Sequence, residues 1–176
     1  MNVKAYGKNS VAEFAFALIL ALSRKLYASI NRVHEDKSFV TDDSLQGMDL
    51  FGKTIGIIGY GAIGSHVARI ASAFGMRVLV FSRGYKEKGK ASLEKLFRES
   101  DVISLHVPFN SSTFHMVNKV SIGKMKRGVL LVNTARGEVV DTKALLKGLK
   151  SGKVGGAALD VLEDEAVSLE DVALKQ

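Results

Sequence analysis

The residues with types and spacing fit for chemistry lie between positions 54 and 64, where the apolar run Thr54-Ile55-Gly56-Ile57-Ile58 breaks into Gly59-Tyr60-Gly61-Ala62-Ile63-Gly64. Each glycine of this G-x-G-x-x-G spacing has a physical cause. Gly59 permits a tight turn, Gly61 has no Cβ to obstruct a phosphate, and Gly64 lets a helix pack close against a strand. Helical periodicity resumes at Ser65-His66-Val67-Ala68-Arg69-Ile70, so the amides around Gly61, Ala62, Ile63 and Gly64 open a helix whose dipole favours negative charge. A pyrophosphate suits such a turn, and the chemistry implied is the binding of a dinucleotide.

That site needs strands and helices in alternation, and the chain supplies them. Strands are predicted at Thr54–Ile58, Arg77–Phe81, Val102–Val107, Val129–Val132 and about Gly156–Val161. Helices are predicted from the glycine turn to about Phe74, at Ser92–Phe97, near Asn118–Met125 and from a cap at Asp141 to Leu149, with Gly75 and Gly152 as stops. The alternation implies an α/β fold, a doubly wound parallel sheet of the Rossmann type with helices on both faces. In such a fold the end of the second strand lies beside the adenosine ribose, where a carboxylate accepts from a 2′-hydroxyl and an arginine accommodates a 2′-phosphate. Ser82 and Arg83 occupy that end, the next carboxylate is Glu87, and Lys86, Lys88 and Lys90 add positive charge. The expected cofactor is NAD(P), with NADP(H) preferred and NAD tolerated through Ser82.

The first fifty residues read differently. Ser10-Val11-Ala12-Glu13 has capping-box spacing and predicts a helix that is apolar nearly all round before turning amphipathic near Arg24, Lys25, Arg32 and His34. A helix apolar on every side needs cover on every side, so it either forms part of a homodimer interface or is buried within its own chain. Residues 36–52 are polar and read as a connecting loop. The apolar run Phe14–Leu22 is too short to cross a bilayer and leads into Ser23-Arg24-Lys25 without a cleavage site, so neither a membrane span nor a secretory leader is expected and a cytoplasmic location is inferred.

Composition narrows the classes further. The 176 residues include no cysteine, and the four histidines, His34, His66, His106 and His115, have no metal-ligand spacing, so no disulfide framework and no metal site are expected. The formal charge of +7 points to an anionic partner, but the basic residues are scattered and the chain has no tryptophan, which favours nucleotide phosphates over nucleic acid.

Taken together these segments resemble the D-isomer-specific 2-hydroxyacid dehydrogenases, a family of D-lactate, phosphoglycerate and glyoxylate or hydroxypyruvate enzymes. The resemblance spans nearly the whole chain: Asn9-Ser10-Val11-Ala12-Glu13 is similar to the entry into the family's interdomain helix, and Leu50-Phe51-Gly52-Lys53-Thr54 precedes the glycine turn as it does there. Ser104-Leu105-His106-Val107-Pro108, Asn133-Thr134-Ala135-Arg136-Gly137 and Ala158-Leu159-Asp160-Val161 followed by Glu163-Asp164-Glu165 resemble further family segments. The resemblance implies that Arg136 holds the carboxylate of a 2-oxo acid and polarises its carbonyl, and that Glu165 pairs with a catalytic histidine. It also implies cofactor contacts at Val107, Pro108, Thr113, Thr134, Ala135 and Arg136, with Asp160 near the nicotinamide carboxamide.

The departures matter as much. The family's proton donor is a histidine in a Pro-His segment downstream of Glu165, and none of the four histidines matches it. Val3-Lys4 and Ala166 stand where the family often has proline. The expected organisation is an N-terminal interdomain or dimerisation arm over residues 1–50, a dinucleotide-binding domain over 51–165 and a short tail over 166–176, truncated at both ends and without a substrate lobe. The expected function is the nucleotide-binding part of an oxidoreductase moving hydride between NAD(P)H and a small 2-oxo or 2-hydroxy acid, with little turnover by this chain alone. The alternative is a non-catalytic dinucleotide-sensing or dimerisation module.

Overall fold

The computed structural model describes residues 7–40 and 42–163. Five strands, β1 (Thr54–Ile58), β2 (Arg77–Phe81), β3 (Val102–Leu105), β4 (Val129–Asn133) and β5 (Val154–Leu159), form one parallel sheet in the order β2-β1-β3-β4-β5. The sequences of β1 to β4 are mostly aliphatic with no polar alternation, and β1, β3 and β4 are buried at every position, as parallel strands covered on both faces must be. The helices are α1 (Gly7–Ser23), α2 (Leu26–His34), α3 (Ala62–Ala73), α4 (Leu93–Glu99), α5 (Lys119–Lys124) and α6 (Thr142–Lys150).

Two cores lie on opposite faces of the sheet. On one, Ala12, Ala15, Phe16 and Ile19 of α1 and Val67 and Ala71 of α3 cover Ile55, Ile57 and Val132. On the other, Leu96 and Phe97 of α4, Ile122 of α5 and Leu145 of α6 cover Ile58, Ile103 and Leu131. The short helices start where side-chain caps allow. Ser92 accepts from the Lys95 amide, Asn118 forms a reciprocal capping box with Ser121, and Asp141 accepts from the Ala144 amide, each cap stabilising its helix by about 1 kcal/mol.

Four sequence expectations are corrected. The N-terminal helix is two helices, because Lys25 adopts the left-handed conformation (φ 56°) and the Ser23 carbonyl, released from the helical ladder, accepts from the Met48 amide at 2.7 Å. Ser10 is not a cap, since helix already runs from Gly7 and Ser10 lies within it. β3 ends at Leu105 rather than Val107, because β1 beside it gives way at Gly59 to the glycine turn. β5 runs from Val154 to Leu159 rather than from Gly156 to Val161, in register with β4, whose last pair is Asn133 with Leu159. The 36–52 connection also contains a 3₁₀ turn, Asp43–Leu45, capped by Asp42.

The connection after β1 runs to β2 on one side and the connection after its neighbour β3 runs to β4 on the other, so a crevice opens beyond the carboxyl ends of β1 and β3. Outside β2, a single parallel bridge from Val80 to Lys90 stands where a further strand could pair.

Candidate dinucleotide site

The glycine turn is built by close approach. Gly59 has φ +96°, and a Cβ there would meet the His106 carbonyl oxygen at 2.3 Å. A Cβ on Gly64 would meet the Gly59 carbonyl oxygen at 2.1 Å, so α3 can sit this close to the turn only with glycine at that position. Gly61 is different: its backbone is extended (φ −83°, ψ −161°) and no atom lies within 4 Å of where its Cβ would be. Neither backbone conformation nor packing within the chain requires glycine there, and Gly61 lines the crevice. Gly61 is the N-cap of α3 and offers no side chain to the first amides, and the first turn carries no acidic residue. Those amides and the helix dipole are left for an external anion.

The crevice at this turn is a cavity of about 460 Å³ whose walls are the ends of β1, β2 and β3 and the loop after β3. Of the residues singled out from the sequence it gathers Gly59, Gly61, Ser82, Arg83, Val107, Pro108 and Thr113. It adds Tyr60, Phe81, His106, Asn110 and Ser112, which the sequence reading did not assign to the site. Asn110 and Ser112 had a legible signal in Asn110-Ser111-Ser112-Thr113, a polar turn just after Pro108-Phe109: Asn110 Oδ1 accepts from the Ser112 amide at 2.9 Å, an Asx turn. Thr113 secures the same loop, donating to the Pro108 carbonyl at 2.8 Å and accepting from the Asn110 amide at 2.8 Å.

Two side chains set the electrostatics. Among the described residues Arg83 has no carboxylate partner, and its Nη2 donates to Ser112 Oγ at 2.6 Å. On the cavity floor, burial pushes the His106 imidazole down to about 4, and its Nε2 lies 2.9 Å from Ser104 Oγ, so the ring is uncharged at neutral pH.

The remaining candidates sit on the same edge of the sheet, beyond β4 and β5. Buried Asn133 organises them: its Nδ2 donates to the Arg136 carbonyl at 2.9 Å, its Oδ1 accepts from the Ala135 amide at 3.0 Å, and its carbonyl accepts from the Asp160 amide at 2.9 Å. Thr134, Ala135, Arg136 and Asp160 are thereby drawn into one cluster, with Arg136 and Asp160 exposed. Thr134 Oγ1 is buried and has no hydrogen-bond partner among the described residues, a costly state that a bound polar group would relieve. The open space at Gly61 and this unpartnered hydroxyl both fit a dinucleotide laid along the sheet edge. Glu163 holds the chain after β5 in place, accepting from Thr142 Oγ1 at 3.0 Å and pairing with His115 Nε2. Burial alone would raise its carboxyl, but the hydrogen bonds from His115 and Thr142 win and hold it below the usual range. Glu165 lies outside the described residues. Among the described residues there is no group of three side chains able to hold a metal ion, and no helix long and apolar enough to cross a membrane.

Comparison with known proteins decides the family. Residues 16–175 match the family model described as D-isomer specific 2-hydroxyacid dehydrogenase, NAD binding domain. The chain belongs to this family. It is 43% identical over 169 residues to a D-lactate dehydrogenase of Curvularia clavata, covering 93% of this chain and 48% of that protein. It is 43% identical over 175 residues to a glyoxylate reductase of Korarchaeum cryptofilum, covering 94% and 53%. Among solved structures, D-lactate dehydrogenase from Aquifex aeolicus complexed with NAD and lactic acid superposes with a TM-score of 0.87 at 46% identity, covering 92% of this chain and 50% of that one. The chain spans about half the length of the curated relatives it matches, and the half it matches is the family's NAD-binding domain.

Proposed function

We propose that this domain serves a reductase of small 2-oxo acids, working in the cytoplasm and drawing on NADPH in preference to NADH. The observation that carries the cofactor choice is the crevice end of β2, where among the described residues Arg83 has no carboxylate partner and Ser82 precedes it. An aspartate there would repel a 2′-phosphate, whereas a guanidinium grips it in a fork. The α3 amides and Gly61 hold the pyrophosphate, Val107, Pro108 and Thr113 wall the crevice, and Thr134, Ala135 and Asp160 meet the nicotinamide end. When bound, the dinucleotide supplies hydride from C4 of its nicotinamide to C2 of the substrate. Arg136, always charged and exposed at the end of β4, holds the substrate carboxylate and stabilises the negative charge growing on the carbonyl oxygen. Glu165 is the carboxylate partner of a proton-donating histidine.

That histidine is not one of the four in this chain. His34, His66, His106 and His115 all precede Glu165 and none follows a proline, and burial keeps the His106 imidazole uncharged at neutral pH. Titrating the 176-residue chain with NADP⁺ and NAD⁺ in a calorimeter tests the assignment. NADP⁺ should bind at least tenfold more tightly; tighter NAD⁺ overturns the preference, and binding of neither overturns the site.

Homodimerisation through the N-terminal arm of residues 1–50 belongs to the same proposal, with 51–165 as the dinucleotide-binding unit. It is supported by α2, which buries none of its residues and exposes Leu26, Ile30 and Val33 at helical spacing beside Tyr27, 77% exposed. Sedimentation of the purified chain as a monomer at micromolar concentration would overturn it.

A further inference from the structure

We infer that Ser112 is a specificity-determining residue for the cofactor: it holds Arg83 across the mouth of the crevice in the position that grips a 2′-phosphate. The inference rests on the assignment of Arg83 to that phosphate and adds the group on the facing wall. Arg83 follows β2 and Ser112 lies in the loop after β3, on opposite sides of the end of β1. The two side chains meet over the opening, with Arg83 Nη2 donating to Ser112 Oγ at 2.6 Å.

A serine hydroxyl can donate or accept, and here its role is fixed from behind. Ser112 Oγ donates its one hydrogen to Asn110 Oδ1 at 2.6 Å, which leaves its lone pairs for the guanidinium. Asn110 is in turn fixed, because its Oδ1 also accepts from the Ser112 amide and its own amide donates to Thr113 Oγ1. The chain of bonds runs from Pro108 through Thr113, Asn110 and Ser112 to Arg83, and every member but the arginine belongs to one short loop.

The consequence is preorganisation. An arginine on an exposed loop gives up rotamer freedom when it grips a phosphate, and one already anchored by Ser112 has given up much of it beforehand. Only one of the guanidinium nitrogens is used by Ser112, so the rest of the fork stays available for phosphate oxygens. A cofactor without the 2′-phosphate does not call on Arg83 in this way, so the anchor acts on the choice between the two dinucleotides and not on binding in general.

The test is calorimetric titration of NADP⁺ and NAD⁺ against the 176-residue chain carrying S112A, S112T or R83A. S112A should lower the preference for NADP⁺ over NAD⁺ three- to tenfold with NAD⁺ affinity unchanged, and S112T, which keeps the hydroxyl, should stay within twofold of the parent. If R83A lowers the preference but S112A does not, the role of Ser112 is overturned while the assignment of Arg83 stands. If neither moves it, both fall. Equal weakening of NAD⁺ and NADP⁺ by S112A overturns the inference in favour of loop support alone.

Discussion

Substituting Gly61 and Gly64 separately tells a ligand-made glycine requirement from a fold-made one. At Gly61 alanine meets nothing within 4 Å and keeps an ordinary extended backbone, so no clash or strain is introduced. Alanine is a poorer N-cap than glycine but loses less chain entropy on folding, two effects each of about 0.5–1 kcal/mol that nearly offset. G61A should therefore melt within about 3 °C of the parent, given roughly 2–4 °C per kcal/mol for a chain of this size. In the proposed site, however, its methyl group takes up space left for the phosphate. Displacing the phosphate from one charge-assisted amide bond loses about 1.5–3 kcal/mol, or roughly 10- to 100-fold in Kd. G64A should do the reverse. Its Cβ would lie 2.1 Å from the Gly59 carbonyl oxygen, so α3 must move away from the turn. Overpacking of this kind costs about 1–3 kcal/mol, lowering the melting temperature by roughly 2–12 °C. Differential scanning fluorimetry and calorimetric titration with NADPH read both quantities. If G61A binds within threefold of the parent, or is as destabilised as G64A, the cradle is not a phosphate site.

The Thr134→Val variant should be as stable as the parent or more so, because the hydroxyl it removes is buried and unpartnered; it should weaken NADPH while sparing 2′,5′-ADP, which lacks the nicotinamide half, as melting and titration would report. His106 should make the chain lose up to about 2 kcal/mol between pH 6.5 and 5: its folded value of about 4 lies below the ordinary 6.5, so the unfolded chain takes the proton first and stability falls with pH. H106Q should flatten that slope in urea titrations. Asp101 accepts from the Thr54 amide and from Lys126 Nζ, both at 2.8 Å, and these bonds outweigh burial to hold its carboxyl below 3.8. Its stabilisation is present above that value and lost as pH falls below it; at neutral pH D101A should cost about 1–3 kcal/mol in denaturant unfolding, and D101N less because it keeps an acceptor for Thr54. If, as proposed, none of the four histidines is the proton donor, the 176-residue chain should reduce pyruvate, glyoxylate and hydroxypyruvate negligibly, since losing a general acid costs roughly 10² to 10⁴ in rate. Robust NADPH oxidation by the chain would refute that.

What was legible in the sequence was what local chemistry dictates. β1 and β2 have the limits read from their β-branched runs, Asp141 and Asn118 cap the helices they were expected to cap or open, and the glycine turn joins strand to helix as its spacing requires. The failures are decided by partners distant in the chain. Helical periodicity continues through Arg24 and Lys25, and only the Met48 amide, twenty-odd residues on, explains why the Ser23 carbonyl leaves the ladder. The apolar run to Val107 reads as strand, yet its ladder stops where β1 turns away at Gly59. The site divides in the same manner. Gly59, Gly61 and Arg83 announce themselves by type and spacing, and the polar turn around Ser112 can be read as a turn, whereas the pairing of Ser112 with Arg83 becomes visible only when sheet order brings two loops to face each other.

Sheet order also supplies a ruler for the proposed ligand. Arg83 follows β2 and Arg136 follows β4, and the order β2-β1-β3-β4 puts three inter-strand steps between those strand ends. At about 4.8 Å per step the two ends are roughly 14 Å apart along the sheet edge. One nucleotide does not cover that length, but two joined by a pyrophosphate do, with the bridge falling near the end of β1 where α3 presents its amides. In the proposed reading the two arginines serve opposite ends of one extended molecule, Arg83 the adenosine and Arg136 the acid beside the nicotinamide. It follows that adenosine fragments should sense substitutions at Arg83 and be indifferent to those at Arg136. A mononucleotide whose affinity fell equally on losing either arginine would mean that the ligand does not lie along this edge at all.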